Sequence, residues 1–238
     1  SAGQGITGTR LAGNSNTAVG SHAGLVLQGA ANSNTLVGQA AGEAMTTSTR
    51  NVAIGTNALK SQTINGGENQ GNVAIGYGAA DNLDDGDANV VIGSAAMDAS
   101  HGNTSDCVII GARAADAITG TSADGTVAIG RSALGALTTG ARNLAIGTGA
   151  MDTLTIGDDN IAIGTDALGA MAATDGNDKN LAIGQYALAN AGGSSNVASA
   201  NVCVGYSAGV QVTTGDHNVL IGMNSGVAIN VGRKNICI

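Results

Sequence analysis

The chain has 238 residues and a net charge of −8, with 39 glycines and no proline, tryptophan or phenylalanine. Only nine basic residues are present, too few and too scattered for the basic stripe that nucleic-acid binding needs. Three tyrosines are the only aromatics, which excludes a core filled by large rings, yet 43% hydrophobic residues keep the chain out of the disordered class.

Residues 1–13 are glycine-rich and irregular. From residue 14 to 238 a single phrase recurs, and this stretch reads as one repeat domain. The phrase is Asn, apolar, small, Ile or Val, Gly, with Ala three residues beyond the Gly. Its glycines are Gly20, Gly38, Gly55, Gly76, Gly93, Gly111, Gly130, Gly147, Gly164, Gly184, Gly205 and Gly222, spaced 17 to 21 residues apart. A fixed period of this length marks an architecture in which each unit buries itself against its neighbours.

Each copy begins with a four-residue run rich in Val and Ile, closed by the Gly. Such runs predict short β-strands. One unit is too short for a helical hairpin, and Gly interrupts every copy. The expected fold is therefore all-β: a single-chain parallel β-solenoid, or β-roll, of about twelve coils with 17–21 residues each. Adjacent coils should lie one strand spacing apart, ~4.8 Å.

Alternate residues of a strand face opposite sides. The column just before the Gly is expected to fill the coil interior: Ile54, Ile75, Ile92, Ile110, Ile129, Ile146, Ile163 and Ile183. The column before that then faces outward. Its small residues, Ala53, Ala74, Ala128, Ala145, Ala162 and Ala182, are expected to let a second apolar surface approach closely, giving lateral self-association. Four residues before the Gly stands Asn in ten of the twelve copies, with Cys107 and Thr126 as exceptions. Asn51, Asn72, Asn89, Asn143, Asn160, Asn180, Asn201 and Asn218 are expected to form an amide ladder along the stack. The Gly itself should mark a corner with positive φ, or one where a side chain would clash.

Three longer connections interrupt the period, from Lys60 to Gly71, Gly169 to Lys179 and Ala189 to Ala200. They carry Asn, Ser, Gly and Asp but no aromatic anchor of the kind that dominates binding hot spots. Acidic turns at Asp84 to Asp87 and Asp175 to Asp178 lack the spacing of a calcium loop and read as solvated turns. The residues following the Gly are too mixed for an ice-binding lattice. At the end of the sequence, Asn235-Ile236-Cys237-Ile238 opens a thirteenth motif. An open rung of this kind would favour head-to-tail stacking.

Catalytic chemistry is not visible. His22, His101 and His217 fall at unrelated repeat positions and none pairs at metal-ligand spacing. There is no nucleophile elbow, phosphate loop or pair of catalytic carboxylates. Cys107, Cys203 and Cys237 read as small apolar residues. Neither an enzyme, a cofactor nor a metal is expected, and no apolar run is long enough to span a membrane as a helix.

The strings Asn51-Val52-Ala53-Ile54-Gly55 and Asn72-Val73-Ala74-Ile75-Gly76, with Ala58 and Ala79 three residues on, resemble the head repeats of YadA-type trimeric autotransporter adhesins. Asn16-Thr17-Ala18-Val19-Gly20 is similar to the related repeats of bacteriophage tail fibres. The resemblance spans residues 14 to 238, although the period is longer than that family's. It implies a β-roll that assembles as a homotrimer on a cell or virion surface. The expected role is a non-enzymatic extracellular fibre or filament subunit. The alternative is an attachment module that binds a receptor or glycan through the longer inter-coil loops.

Overall fold

The computed structural model describes residues 13–28, 30–62, 71–99, 104–119, 123–171, 177–191 and 198–238. The irregular segment 1–12, residues 63–70, 172–176 and 192–197 of the three long connections, and His101 lie outside the described residues, and so does Asp175. The chain is all-β, a parallel β-solenoid. Contacts divide it into two compact units, one ending at Thr121 and one beginning at Ser122.

In the first unit the strands are β1 (Thr17–Val19), β2 (Thr35–Val37), β3 (Val52–Ile54), β4 (Val73–Ile75), β5 (Val90–Ile92) and β6 (Val108–Ile110). In the second they are β7 (Val127–Ile129), β8 (Leu144–Ile146), β9 (Ile161–Ile163), β10 (Leu181–Ile183), β11 (Val202–Val204), β12 (Val219–Ile221) and β13 (Ile236–Cys237). Within each unit successive strands pair in parallel, and the motif sets the register. Val52, Ala53 and Ile54 pair with Val73, Ala74 and Ile75, and Leu144, Ala145 and Ile146 pair with Ile161, Ala162 and Ile163. Cys203 and Cys237 share a column, with Leu220 between them.

Only three residues per coil are strand, yet the hydrogen-bond ladder continues past the Gly. Gly164 N–H donates to Ile146 C=O at 2.8 Å, Asp166 N–H to Thr148 C=O at 3.0 Å, and Met151 N–H to Ala167 C=O at 3.0 Å. Holding this spacing round the corners requires left-handed backbone at two positions after the Gly and one before the Asn. Many are not glycine: Asp166 has φ 52°, Leu168 52° and Asp159 60°. Each costs on the order of 1 kcal/mol. The inter-coil ladder determines these corners strongly enough to hold them.

The motif Gly is required for a second reason. Gly147 has φ 135°, and a Cβ built there would stand 2.6 Å from the carbonyl carbon of Gly164. The same contact joins Gly130 to Gly147, Gly164 to Gly184 and Gly184 to Gly205, at 2.6 to 2.7 Å. A side chain at any of these positions would meet the next coil's backbone.

The interior corrects the strand assignment. Ala53, Ala74, Ala128, Ala145, Ala162 and Ala182 are fully buried inside the coils, so they do not form an outward self-association stripe. Ile54, Ile75, Ile92, Ile110, Ile129, Ile146, Ile163 and Ile183 point outward and do not form the coil core. All are partly exposed, with Ile54 at 38% and Ile183 at 36%.

The reason is volume. In half of the coils the interior holds the Ala three after the Gly and a Leu or Met four after it, and in most coils a Leu, Ile or Met stands seven after it. Leu59, Leu134, Met151, Leu168 and Leu188 occupy the fourth position and Leu83, Ile118, Leu137 and Leu154 the seventh, all fully buried. Little room is left for the strand's own inward residue, so Ala sits opposite Leu or Met. Where the strand residue is large the pattern reverses. Leu36 faces Gly42, and Leu220 faces Gly226, whose added Cβ would lie 2.7 Å from Leu220 Cδ1. This is close packing by exchange of volume across a thin core.

Candidate interaction surface

Outward Val and Ile columns dominate the surface of each unit. In the second, Val127 and Ile129, Leu144 and Ile146, Ile161 and Ile163, Leu181 and Ile183, Val202 and Val204, and Val219 and Ile221 stand either side of the buried central residue. In-register parallel pairing stacks like on like, so the side chains half-cover one another and leave an apolar stripe. Ile183 and Ile221 are the most open on β7 to β12, at 36% and 39%.

Across the Gly corner the stripe continues into the residues that follow it. Gln185, Tyr206 and Met223 occupy one column, and Tyr186 stands one place further. Tyr206 is 49% exposed and Met223 74%. The rings of Tyr186 and Tyr206 meet edge to face, with centroids 6.2 Å apart and planes at 79°. Twenty residues separate them in sequence, and one coil of the solenoid brings them together. A search for aromatic anchors in the long loops misses this pair, because Tyr206 directly follows Gly205 whereas Tyr186 stands two residues after Gly184, and only the return of the coil brings them together.

On one flank of the strands runs the Asn ladder, which is buried throughout. Asn160 illustrates its geometry. Its side-chain Nδ2 donates to Asn143 Oδ1 at 3.2 Å and to Asn177 C=O at 2.8 Å. Its Oδ1 accepts from the backbone N–H of Asn180 at 3.0 Å and from the Asn180 side chain at 3.1 Å. Asn180, Asn201 and Asn218 repeat the pattern, as do Asn51, Asn72 and Asn89 in the first unit. Cys107 keeps only part of it, its N–H donating to Asn89 Oδ1 at 3.0 Å.

Next to the ladder lies an exposed charged edge. Arg142 forks onto Asp159, with Nε to Oδ1 at 2.6 Å and Nη2 to Oδ2 at 3.1 Å. That hydrogen bond holds the Asp159 carboxyl below its usual range. Asp158 accepts from Ala141 N–H at 2.8 Å, and its own N–H donates to Asp178 Oδ1 at 2.9 Å.

Carboxylates also stack five residues after the Gly, where Asp81, Asp98 and Asp116 follow one another in successive coils. Burial, then the neighbouring Asp98 and Glu43, push Asp81 upward against the pull of Lys60. Burial and Asp116 raise Asp98. Asp87, in the acidic turn, is raised by burial and by Asp85 and Asp106. Among the described residues no cluster of three or more His, Cys, Asp or Glu is arranged to hold a metal ion, and no helix is long and apolar enough to cross a membrane. Burial pushes the Cys203 thiol up to about 12, leaving it an unreactive core residue.

These features define a repeat protein of the parallel β-solenoid class that carries an outward column of partly exposed Val and Ile on its strands. Comparison with known proteins finds no matching family model, no similar curated protein and no similar solved structure.

Proposed function

We propose that this chain is a non-enzymatic structural subunit: a β-solenoid that associates laterally with copies of itself to build an extracellular fibre, adhesin shaft or surface filament. The observation that carries the reading is the outward Val and Ile stripe. A solenoid needs apolar residues only inside its coils. A second apolar column on the same strands is costly to leave wet, and contiguous exposed patches of several hundred Å² mark association sites. The resemblance to trimeric adhesin heads and phage fibre repeats favours three chains side by side. The uniform coils favour spacing and stiffness over specific recognition.

The association is tested by light scattering across micromolar concentrations. The wild type is expected at a multiple of the chain mass, and Ile163→Arg at the mass of one chain with an unchanged far-ultraviolet spectrum. A monodisperse single-chain wild type at these concentrations would overturn the reading.

A further inference from the structure

The coils of the second unit differ in one respect that their shared backbone does not require. Residues 180–191, 201–212 and 218–229, which build β10, β11 and β12 with their following turns, contain no Asp, Glu, Lys, Arg or His. The corresponding stretches in the first unit carry Asp81, Asp98, Arg113 and Asp116. On these three coils stand Tyr186, Tyr206 and Met223 beside Ile183 and Ile221, all more than a third exposed.

We propose that this charge-free face is where a second copy of the chain docks, patch against like patch, with Tyr186, Tyr206 and Met223 as its anchors. The inference rests on lateral self-association and deepens it by saying where contact is made and what fixes its register.

Three arguments select a second copy as the occupant. The first is charge. Two chains of net charge −8 repel, and like charges brought together at an interface cost several kcal/mol. A face with no charge is where two such copies can meet. The second is area. The three charge-free coils run about 15 Å along the stack and about 15 Å across, by strand spacing and rise. That is roughly 225 Å², about a quarter of what each partner gives a standard interface, and the Val and Ile stripe of β7 to β9 continues from it. The third is register. A repeating Val and Ile stripe fits its own copy equally well after a slip of one coil. The tyrosine pair occurs once among the described residues, so a slip costs those rings their partners. Tyr and Met are also side-chain types enriched at interface cores, and Tyr is frequent among hot spots.

The test compares association midpoints by light scattering over a dilution series. Tyr206→Lys places a charge in the neutral face. Ile156→Lys places the same charge at a residue 38% exposed on the connection between β8 and β9, off the stripe. Tyr206→Lys is expected to raise the midpoint concentration at least tenfold with an unchanged melting curve, and Ile156→Lys to leave it within twofold of wild type. If Tyr206→Lys unfolds the chain, the milder Tyr186→Ser/Met223→Ser variant is expected to give the same tenfold shift.

Wild-type association, abolished by Ile163→Arg but unaffected by Tyr206→Lys, would overturn this inference and leave lateral association standing. An equal shift for Ile156→Lys would do the same, since charge alone would then explain the effect. A wild type that stays a single chain would overturn both.

Discussion

Asn160 shows how much one side chain can carry in a stacked fold. Its amide serves coils on both sides, and every polar atom of that amide is paired. In Asn160→Ala the Asn180 N–H and amide lose their acceptor and Asn177 C=O loses its donor, all in buried surroundings. Each orphaned buried group costs roughly 1–3 kcal/mol. The expected outcome is a fall of several °C in melting temperature with assembly mass unchanged, because the ladder faces inward. A melt that coincides with wild type would mean that the amides are not bonded along the stack.

The motif Gly is equally specified at this scale, because at Gly130, Gly147, Gly164 and Gly184 an added Cβ would press on the next coil's backbone. Gln62 departs from the pattern. It is fully buried at the seventh position after Gly55, where most other coils place Leu, Ile or Met, and its amide has no hydrogen-bond partner among the described residues.

At the scale of the element, the coil is a strand, a Gly corner and two left-handed turns, and charge stacks as readily as Ile does. Asp81 and Asp98 stand in adjacent coils, both with pKa raised above the usual carboxylate value of 3.8 by burial first and then by like charge. A carboxyl whose folded pKa exceeds its unfolded pKa binds its proton more tightly when folded. Its stabilising contribution is therefore full below 3.8 and is lost as pH rises through the raised value. Stability should rise as pH falls from 7 towards 4. Asp81→Asn should flatten that rise and melt higher than wild type at pH 7. The opposing case is Asp159, whose lowered pKa adds stability that is lost only as pH falls further. Thermal melts at half-unit steps of pH would separate the two. A wild type that loses stability monotonically below pH 7 would contradict the burial of Asp81.

The strands, their parallel pairing and the Asn column were legible from the motif, because period, β-branching and Gly position all agree. The direction of the strand faces was not. Two apolar columns alternate on every strand, and hydrophobicity alone favours putting the larger one inside. The deciding signal lies six residues later. Strand-centre Ala53, Ala128, Ala145, Ala162 and Ala182 are followed by Leu59, Leu134, Met151, Leu168 and Leu188, whereas Leu36 and Leu220 are followed by Gly42 and Gly226. Two positions whose sizes trade off share one confined space, and that marks the central column as the inner one. No comparable signal exists for the tyrosine pair, since its contact depends on the chain returning to the same corner one coil later.

For the whole molecule, the reversed faces change what the protein can do. Inward Val and Ile would have left a smooth Ala surface. Outward Val and Ile leave an apolar stripe in each unit, and on β10 to β12 the stretch from each ladder Asn through the following turn carries no charge. The acidic turns carry the chain's negative charge, and the strands between them carry the apolar columns.

The claim on which the rest depends is that the central strand column lies inside and its neighbours outside, and a single pair of adjacent substitutions reads it directly. Ala145→Arg and Ile146→Arg differ by one position on β8. Far-ultraviolet circular dichroism during heating, recorded on both with the mass checked by light scattering, decides between the two faces. The account predicts that Ala145→Arg fails to fold or melts far below wild type, because no space or partner exists for a guanidinium inside the coil. Ile146→Arg should keep the wild-type spectrum and melt as a single chain. A folded, dissociated Ala145→Arg beside an unfolded Ile146→Arg would contradict it and return the Ile column to the interior.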